Sequence, residues 1–395
     1  MISFDEAVER LTRLASPLDR EMLPLDCADG RRLAGPIIAQ YDAPRAPTSA
    51  MDGYAIRDAD VANGICDFTV VGKSFAGEPY LAELARGTTA RVFTGALVPP
   101  GTGRVVMQED VCVQGNRVVV KPPLSESRHL RTVGADFHSG DTLVEGGRIL
   151  TPQTLIAIAA ADLAAVEVFV QPRVSILCCG DELAEPGSAD SGKGQIPESV
   201  SFGVAALVRR WGGKIARRVR VPDALDTLTT EAGRALEHGD VVVTIGGASV
   251  GERDFAKQMF APLGLEFVFD KVAMRPAKPV WLGHIGQKII LGLPGNPTSA
   301  YVAARLFLAP LLCGLGGGAP SVALAWRDMV LAGQLEASPQ RDTFFRAKDD
   351  GCLVLPLTNQ DSAAQKAIAE ADLLIRRRPE APQASAGAFV ETLVI

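Results

Sequence analysis

Three segments of the chain set glycine beside a charged or hydroxyl side chain directly after an apolar run. RVSILCC (173–179) is followed by Gly180, Asp181 and Glu182. DVVVTI (240–245) is followed by Gly246, Gly247, Ala248, Ser249, Val250 and Gly251, then Glu252 and Asp254. KIILGL (288–293) is followed by Pro294, Gly295, Asn296, Pro297, Thr298 and Ser299. Glycine lets a phosphate approach the backbone, and a helix N-terminus offers free N–H groups at the positive end of its dipole. Asn296 suits an N-cap and Pro297 the first helical position. Any one of these loops could be only a tight turn between strand and helix. Three on successive strand ends point to a site for a phosphorylated small molecule.

A fourth segment, KVAMRPAKPVWLG, carries Lys271, Arg275 and Lys278 on a path stiffened by two prolines. Donors held on a rigid turn suit an oxyanion, because they need not be ordered on binding; a solvated basic turn is the plainer alternative. Weaker signals lie earlier. Asp52 in SAMDGYAI, Thr94 in TGA and Asp136 in RTVGADF each set a carboxylate or hydroxyl next to glycine. Two or three of Asp52, Asp136, Glu182 and Asp254, if grouped in space, can hold Mg²⁺ against a pyrophosphate. Which of them meet is left open by the sequence.

The elements around these residues follow from periodicity. Residues 1–40 read as helical as far as a turn at Asp29-Gly30. From 41 the pattern changes to short alternating runs, YAIRDADV, FTVVGKSF, TARVFTGAL, RVVMQEDVCV and RVVVK, as in a β-rich domain. RILTPQTLIAIAAADL ends a mixed segment in a helix. From Arg173 strand and helix alternate: RVSILCC, SFGVAALVRRW, KIARRVRV, ALDTLTTEAGRALEH, DVVVTIG, RDFAKQMFAPL, QKIILGL and a helix from Pro297. Apolar strands alternating with helices imply a doubly wound, mostly parallel sheet, with ligands at the carboxyl ends of its strands. VALAWRDMVLAG, a DDG turn in FFRAKDDGCLVLPL, LLIRRR and FVETLVI then read as a small β-barrel or sandwich. The resulting fold class is multidomain α/β. Its expected parts are a mixed linker domain (1–40 and 128–170), a β-rich domain (41–127), the α/β domain (171–318) and a C-terminal β-barrel (319–395).

Composition narrows the partners. In 395 residues, Lys+Arg 40 against Asp+Glu 46 gives a net charge of −6, which argues against bulk binding to nucleic acid or an anionic membrane. The acidic, amphipathic start MISFDEAVERLTRL lacks the features of a signal peptide. SAYVAARLFLAPLLCGL contains Arg305 and reads as too short and interrupted to span a bilayer. Seven cysteines without CxxC spacing read as buried, reduced thiols in a cytoplasmic protein. His129, His138, His238 and His284 show no zinc-site spacing. The runs Arg217-Arg218-Val219-Arg220 and Arg376–Arg378 read as solvated strand faces.

In this order, SAMDGYA, GDEL after a strand, GGASVGERD and GLPGNPTSA resemble the molybdenum insertase family (molybdopterin molybdenumtransferases of MoeA type, related to the C-terminal domain of gephyrin). The resemblance runs over essentially the whole chain. It implies an elongated homodimer, with the active site between the α/β domain of one subunit and the β-rich domain of the other. It implies insertion of molybdenum from molybdate into adenylylated molybdopterin with release of AMP, assisted by Mg²⁺. Asp52, Thr94, Asp136, Glu182, Asp254 and Lys271 match the family's catalytic positions, with Asp52, Glu182 and Asp254 as metal ligands. Gly180, Asp181, Gly246, Gly247, Ser249, Gly251, Pro294, Gly295 and Asn296 match its pterin-phosphate loops. Arg275, Lys278, Ser299, Arg346 and Ser362 match its oxyanion contacts. The protein partners implied are the molybdopterin adenylyltransferase and client molybdoenzymes.

The chain also departs from the pattern. Where the family has KPGKP, it has Arg275-Pro276-Ala277-Lys278-Pro279; Arg is a planar fork rather than a point charge, and Ala is expected to remove a positive φ. Ala135 replaces an acid before Asp136, and Val200 replaces an amide at the start of the first α/β helix. Asp223 fits an acidic pair only with a shift, and Ala363–Ala367 lacks the usual hydroxyls. These changes suggest a diverged paralogue, so a non-catalytic protein that binds or delivers the cofactor is the alternative. A Rossmann dehydrogenase is disfavoured, since no GxGxxG follows the first strand.

Overall fold

The computed structural model describes residues 1–247 and 255–395. The chain divides into two compact units, Met1–Leu23 with Gly30–Ala34 and Glu167–Ile395, and Pro24–Asp29 with Gly35–Val166.

The larger unit is built on a six-stranded sheet in the order Lys214–Val221, Arg173–Cys179, Val241–Ile245, Lys288–Leu293, Trp281–Ile285, Glu266–Phe269. The first four strands are mutually parallel, and the last two add antiparallel. Helices on both faces explain why the central strands are mostly apolar and buried on both sides, even Ser175 and Thr244 being fully buried. Ile176, Val243 and Leu291 pack on one face with Val204, Val208 and Leu308. Leu177, Val242 and Ile290 turn to the other, against Leu228, Ala232 and Phe260. All four strand ends that feed loops therefore sit on a solid two-sided core.

Expected helices and strands need some redrawing. The helix of 1–40 stops early: Phe4–Leu14 is helical, capped by the Ser3 hydroxyl accepting from the Glu6 N–H at 3.1 Å, and Arg20–Pro24 is already a strand. Phe4 meets Phe307 and Phe344 edge-on, so this helix belongs to the large core. Of the helix expected over RDFAKQMFAPL, whose first two residues lie outside the described ones, the described part is helical at Phe255–Gln258 and then a 3₁₀ turn, Ala261–Leu263, which carries Pro262 and ends at left-handed Gly264. SAYVAARLFLAPLLCGL is not too short to cross a bilayer: the helix Pro297–Leu315 runs 19 residues, with a π turn over Ala304–Leu308. It is nonetheless a core helix, almost wholly buried in the protein. Buried Arg305 donates to the carbonyls of Val394 and Ala323.

The chain's last strands close into a barrel: Asp342–Asp349, Leu353–Pro356, Arg327–Leu331, Phe389–Val394, Leu373–Arg377 and back to Asp342–Asp349. Leu331, Val354, Ile375 and Val390 fill it. VALAWRDMVLAG is strand only from Arg327, since Pro320–Ala323 is a helical turn. Met274–Arg275 pairs in parallel with Asp342–Thr343, which stitches the RPAKP turn to the barrel.

The smaller unit carries a mixed six-stranded sheet with Gly53–Ile56 between Thr88–Val92 and Arg104–Met107. YAIRDADV divides into that strand and a short helix, Asp58–Ala62. Pro152–Ala160 is a helix opened by a capping box between Thr151 and Thr154.

The arginine runs are not simple solvated faces. Arg217 pairs with Glu231 at 2.9 Å, and Arg218 reaches Glu185 and the ring of Phe202. Arg376, 5% exposed, bridges Asp342 and Asp5. The buried-thiol reading holds for Cys178, Cys179 and Cys313, but Cys27, Cys66, Cys112 and Cys352 are exposed; all seven are free.

Candidate functional site

The three glycine loops open on one cleft of about 610 Å³ in the larger unit. Gly180 and Glu182 line it from the first strand, Gly246 and Gly247 from the second, and Pro294, Gly295 and Asn296 from the third. Two of the loops touch through their glycines. A Cβ on Gly246 would lie 2.6 Å from the Cys179 carbonyl oxygen, and its φ of +88° is left-handed. A Cβ on Gly295 would stand 3.5 Å from the Gly246 Cα. Small residues are thus required for the loops to close on each other, before any ligand is considered.

Opposite these loops lie Glu198, Ser199 and Val200 at the start of the helix Val200–Arg210. Glu198 is buried and serves the helix: its carboxylate accepts from the Ser201 N–H at 2.8 Å and from the Ser201 hydroxyl. Asp223 also lines the cleft. Asp181 does not; its carboxylate accepts from the Asp223 N–H at 3.0 Å and holds the neighbouring loop. Burial pushes the Cys179 thiol up to about 12, with Asp223 adding to the effect. The cleft therefore presents a neutral thiol, not a thiolate.

Asn296 occupies the N-cap position of Pro297–Ala303, but its side chain makes no capping bond. It donates to the Ser362 hydroxyl at 3.1 Å, and the Thr298 N–H donates to the Ser362 carbonyl. This junction separates the first cleft from a second of about 810 Å³, and Pro279 lines both. Arg275, Lys278, Ser299 and Ser362 line the second cleft together with Arg341, Thr343, Glu336 and Asp361.

Two expected oxyanion residues are elsewhere. Lys271 lines neither cleft; its carbonyl accepts from the Ile2 N–H. Arg346 is 1% exposed and donates to the carbonyls of Asn359 (3.0 Å) and Asp361 (3.2 Å). It is a strut under the loop that presents Ser362. A third expectation fails at Ala277, which adopts φ +70° without glycine. The turn keeps its left-handed residue and carries the strain.

In the smaller unit, Asp52 and Thr94 are joined. The Asp52 carboxylate accepts from the Thr94 N–H at 2.7 Å and from its hydroxyl at 2.8 Å. The backbone hydrogen bond, then the hydroxyl, hold Asp52 below the usual carboxylate range. Asp136 sits exposed on a separate turn, its N–H donated to the Ala43 carbonyl. Among the described residues no hydrogen bond joins it to Asp52 or Thr94. Ser249, Gly251 and Asp254 lie outside the described residues, and among those described no three His, Cys, Asp or Glu side chains group as a metal site.

Sequence reasoning passed over Arg341 and Glu336, whose neighbourhood depends on the pairing of residues 274–275 with the barrel. No local signal marks that pairing.

Comparison with known proteins gives a consistent set. Residues 2–161 match the family model "MoeA N-terminal region (domain I and II)", and residues 175–313 match "Probable molybdopterin binding domain". The molybdopterin molybdenumtransferase of Haemophilus influenzae is 35% identical over 319 residues, 80% of this chain and 78% of the relative. That of a Nostoc species is 33% identical over 344 residues, 84% and 78% of the two chains. The solved molybdopterin biosynthesis moea protein from Pyrococcus horikosii superposes with a TM-score of 0.86 at 26% identity, covering 100% of this chain and 99% of the other.

Proposed function

The chain belongs to the molybdopterin molybdenumtransferase (MoeA) family, and from that membership we propose that it inserts molybdenum from molybdate into adenylylated molybdopterin with release of AMP. One observation carries this reading: two clefts of different chemistry adjoin at Pro279 and the Asn296–Ser362 hydrogen bond. The first, walled by three glycine loops and the opening of a helix, suits the phosphates of the substrate. The second, with Arg275, Lys278 and the hydroxyls of Ser299 and Ser362, suits a tetrahedral dianion. A substrate held in the first cleft by its phosphates is thereby set beside bound molybdate, and proximity of that kind contributes several kcal/mol to a reaction between them.

Release of AMP breaks a phosphoanhydride, with water supplying the new oxygen, and charge builds on the departing phosphate. Mg²⁺ typically uses one or two carboxylates together with substrate phosphate oxygens. Glu182 and Asp223, hard oxygen donors on the first cleft, fit that requirement; bound there, the ion would neutralise developing phosphate charge. Gly246, Gly247 and Gly295 bring backbone close to the phosphates, and Asn296 orients Ser362 toward the second cleft. Asp52, kept ionised by Thr94, is a fixed carboxylate for the reacting groups. Asp136, Asp254, Ser249 and Gly251 keep the roles that the family pattern gives them.

The reading extends to a homodimer in the cytoplasm, where seven free thiols stay reduced, served by a molybdopterin adenylyltransferase and serving molybdoenzymes. Co-expressed Asp52→Ala and Glu182→Ala chains should regain turnover if the two residues serve one site across copies.

The decisive assay supplies the purified protein with adenylylated molybdopterin, molybdate and Mg²⁺, and measures AMP and the reconstitution of an apo-molybdoenzyme. Expected is AMP in step with active cofactor. Pterin binding with no AMP above the protein-free background would leave only a binding or delivery role.

A further inference from the structure

In the smaller unit, two aromatic rings stack at the surface beside Asp52. Phe75 and Phe93 lie with ring centroids 4.5 Å apart and planes 11° from parallel. Phe75 is nevertheless 40% exposed. Neither ring joins the core around Phe68 and Val118 or the one around Val92 and Val105. A lone exposed apolar side chain calls for no explanation, but an ordered aromatic pair kept out of two nearby cores does.

The backbone fixes both rings. Phe75 opens a tight turn in which its N–H donates to the Glu78 carbonyl at 3.0 Å and its carbonyl accepts from the Glu78 N–H at 3.1 Å. Buried Ser74 anchors that turn, its hydroxyl donating to the Leu97 carbonyl at 2.6 Å and accepting from the Tyr80 N–H at 3.1 Å. The Phe93 N–H donates to the Ser74 carbonyl, and the Phe93 carbonyl accepts from the Ala96 N–H at 2.9 Å. Arg91, two residues before Phe93, places its guanidinium 5.1 Å from the Phe93 centroid and 4.8 Å from that of Tyr54. It is secured there by the Gly53 carbonyl and the Gln108 side chain. Gly53 is level with Val92, so Asp52 lies across from Phe93, and the N–H that Asp52 accepts comes from the next residue, Thr94. A stack so fixed loses little further entropy when another flat ring joins it.

We propose that the outer side of Phe75 is a stacking platform for the pterin of the substrate, with Phe93 and Arg91 as its support. The ligand class is a flat, nitrogen-rich heterocycle, which stacks on an aromatic side chain without needing a particular hydrogen-bond pattern. The adenylylated substrate holds two such rings, the pyrimidinone of the pterin and the adenine. The pterin is fused through a pyran ring to the dithiolene that takes the metal, whereas phosphates and a ribose separate the adenine from it. Asp52, proposed for the reacting groups, neighbours the platform, and that favours the pterin. This inference rests on the insertion reaction proposed above and on the place of Asp52 in it.

The test is anaerobic equilibrium dialysis of adenylylated molybdopterin and of molybdopterin against the full chain, for the parent and the variants Phe75→Ala, Phe75→Leu and Phe75→Tyr. Phe75→Ala is expected to weaken both probes alike, about tenfold, the scale of one lost ring stack. Phe75→Leu, apolar but without a π face, should lose nearly as much. Phe75→Tyr should keep the parental affinity, and unfolding midpoints should match throughout, which guards against a merely structural loss. If Phe75→Ala stays within about twofold of the parent for both probes, Phe75 is no platform and the insertion reaction stands without it. If the adenylylated probe alone weakens, the ring held is adenine, and the pterin assignment is overturned. Parental affinity in Phe75→Leu also overturns the proposal, since apolar contact would then suffice. If the parent binds no adenylylated molybdopterin, the proposed function falls, and this inference with it.

Discussion

Asp52 is held by both donors of one residue, and the two can be separated by mutation. Thr94→Val removes the hydroxyl at 2.8 Å and keeps the N–H at 2.7 Å. We therefore expect Thr94→Val to reduce AMP release about tenfold, a loss on the scale of one hydrogen bond to a charged group. Asp52→Asn should reduce it a hundredfold or more, because charge stabilisation at the reacting groups is itself lost. Single-turnover assays should rank the two in that order, with unchanged unfolding midpoints; equal losses would refute the division of labour. The pH response follows. Since the Thr94 hydrogen bonds lower the Asp52 pKa, the carboxylate stays ionised as pH falls past the ordinary aspartate range, and Thr94→Val should move the acid limb of the activity profile to higher pH. Ala277 gives a residue-scale test of stability. An alanine at φ +70° carries about 1–2 kcal/mol of left-handed strain, against about 0.5–1 kcal/mol of extra chain entropy for glycine. Ala277→Gly should then raise stability by about 0.5–1 kcal/mol in urea unfolding. The sequence pattern pointed the other way here, since alanine is normally taken to forbid the conformation; the turn adopts it all the same, with the Val280 N–H donating to the Ala277 carbonyl at 3.1 Å.

Elements were legible where a period could be counted. RVSILCC and DVVVTI announce buried parallel strands because they are mostly apolar, broken inside only by the small hydroxyls of Ser175 and Thr244, and glycine after each announces the loop that builds the first cleft. The second cleft was only half legible. Arg275 and Lys278 show as a basic turn, but Arg341 enters by strand pairing some 66 residues downstream of Arg275, which no local pattern encodes. The same limit hid Arg346, whose burial follows from barrel closure rather than from its neighbours in sequence. Helix Val200–Arg210 illustrates a substitution whose cost the element reveals. Ser199 stands at the N-cap without bonding, while buried Glu198 takes the Ser201 N–H and approaches Arg218 at 3.6 Å. Glu198→Ala should cost about 1–3 kcal/mol, combining a lost cap with an unsatisfied buried donor. Chemical denaturation checks this, and the cleft wall at Val200 should loosen with it, seen as weaker pterin binding. A loss below about 0.5 kcal/mol would mean that another group caps the helix.

At the scale of the molecule, the larger unit ties its edges down with charge. Asp240, at the start of the central strand Val241–Ile245, accepts from the Arg173 backbone N–H at 2.9 Å and side chain at 3.0 Å, and Lys288 stands 3.4 Å away. Three neighbouring strands of the sheet are thus clamped at their amino ends, opposite the loops that form the first cleft. Burial alone raises the Asp240 pKa, but the Arg173 hydrogen bonds and the charges of Arg173 and Lys288 outweigh it, and the net shift is downward. A carboxylate with a depressed folded pKa binds its proton more readily in the unfolded chain. Its stabilisation is complete above the unfolded value, about 3.9, and is lost as pH falls through the lower folded value. Asp240→Asn should therefore be less stable than the parent at pH 7, by about 1–3 kcal/mol for loss of charged hydrogen bonds in a partly buried site. The gap should close progressively below about pH 4. Unfolding curves for parent and variant at pH 7, 5, 4 and 3 provide the measurement. A gap that persists undiminished at pH 3 would show that packing of the Asp240 side chain, not its charge, fastens the strands.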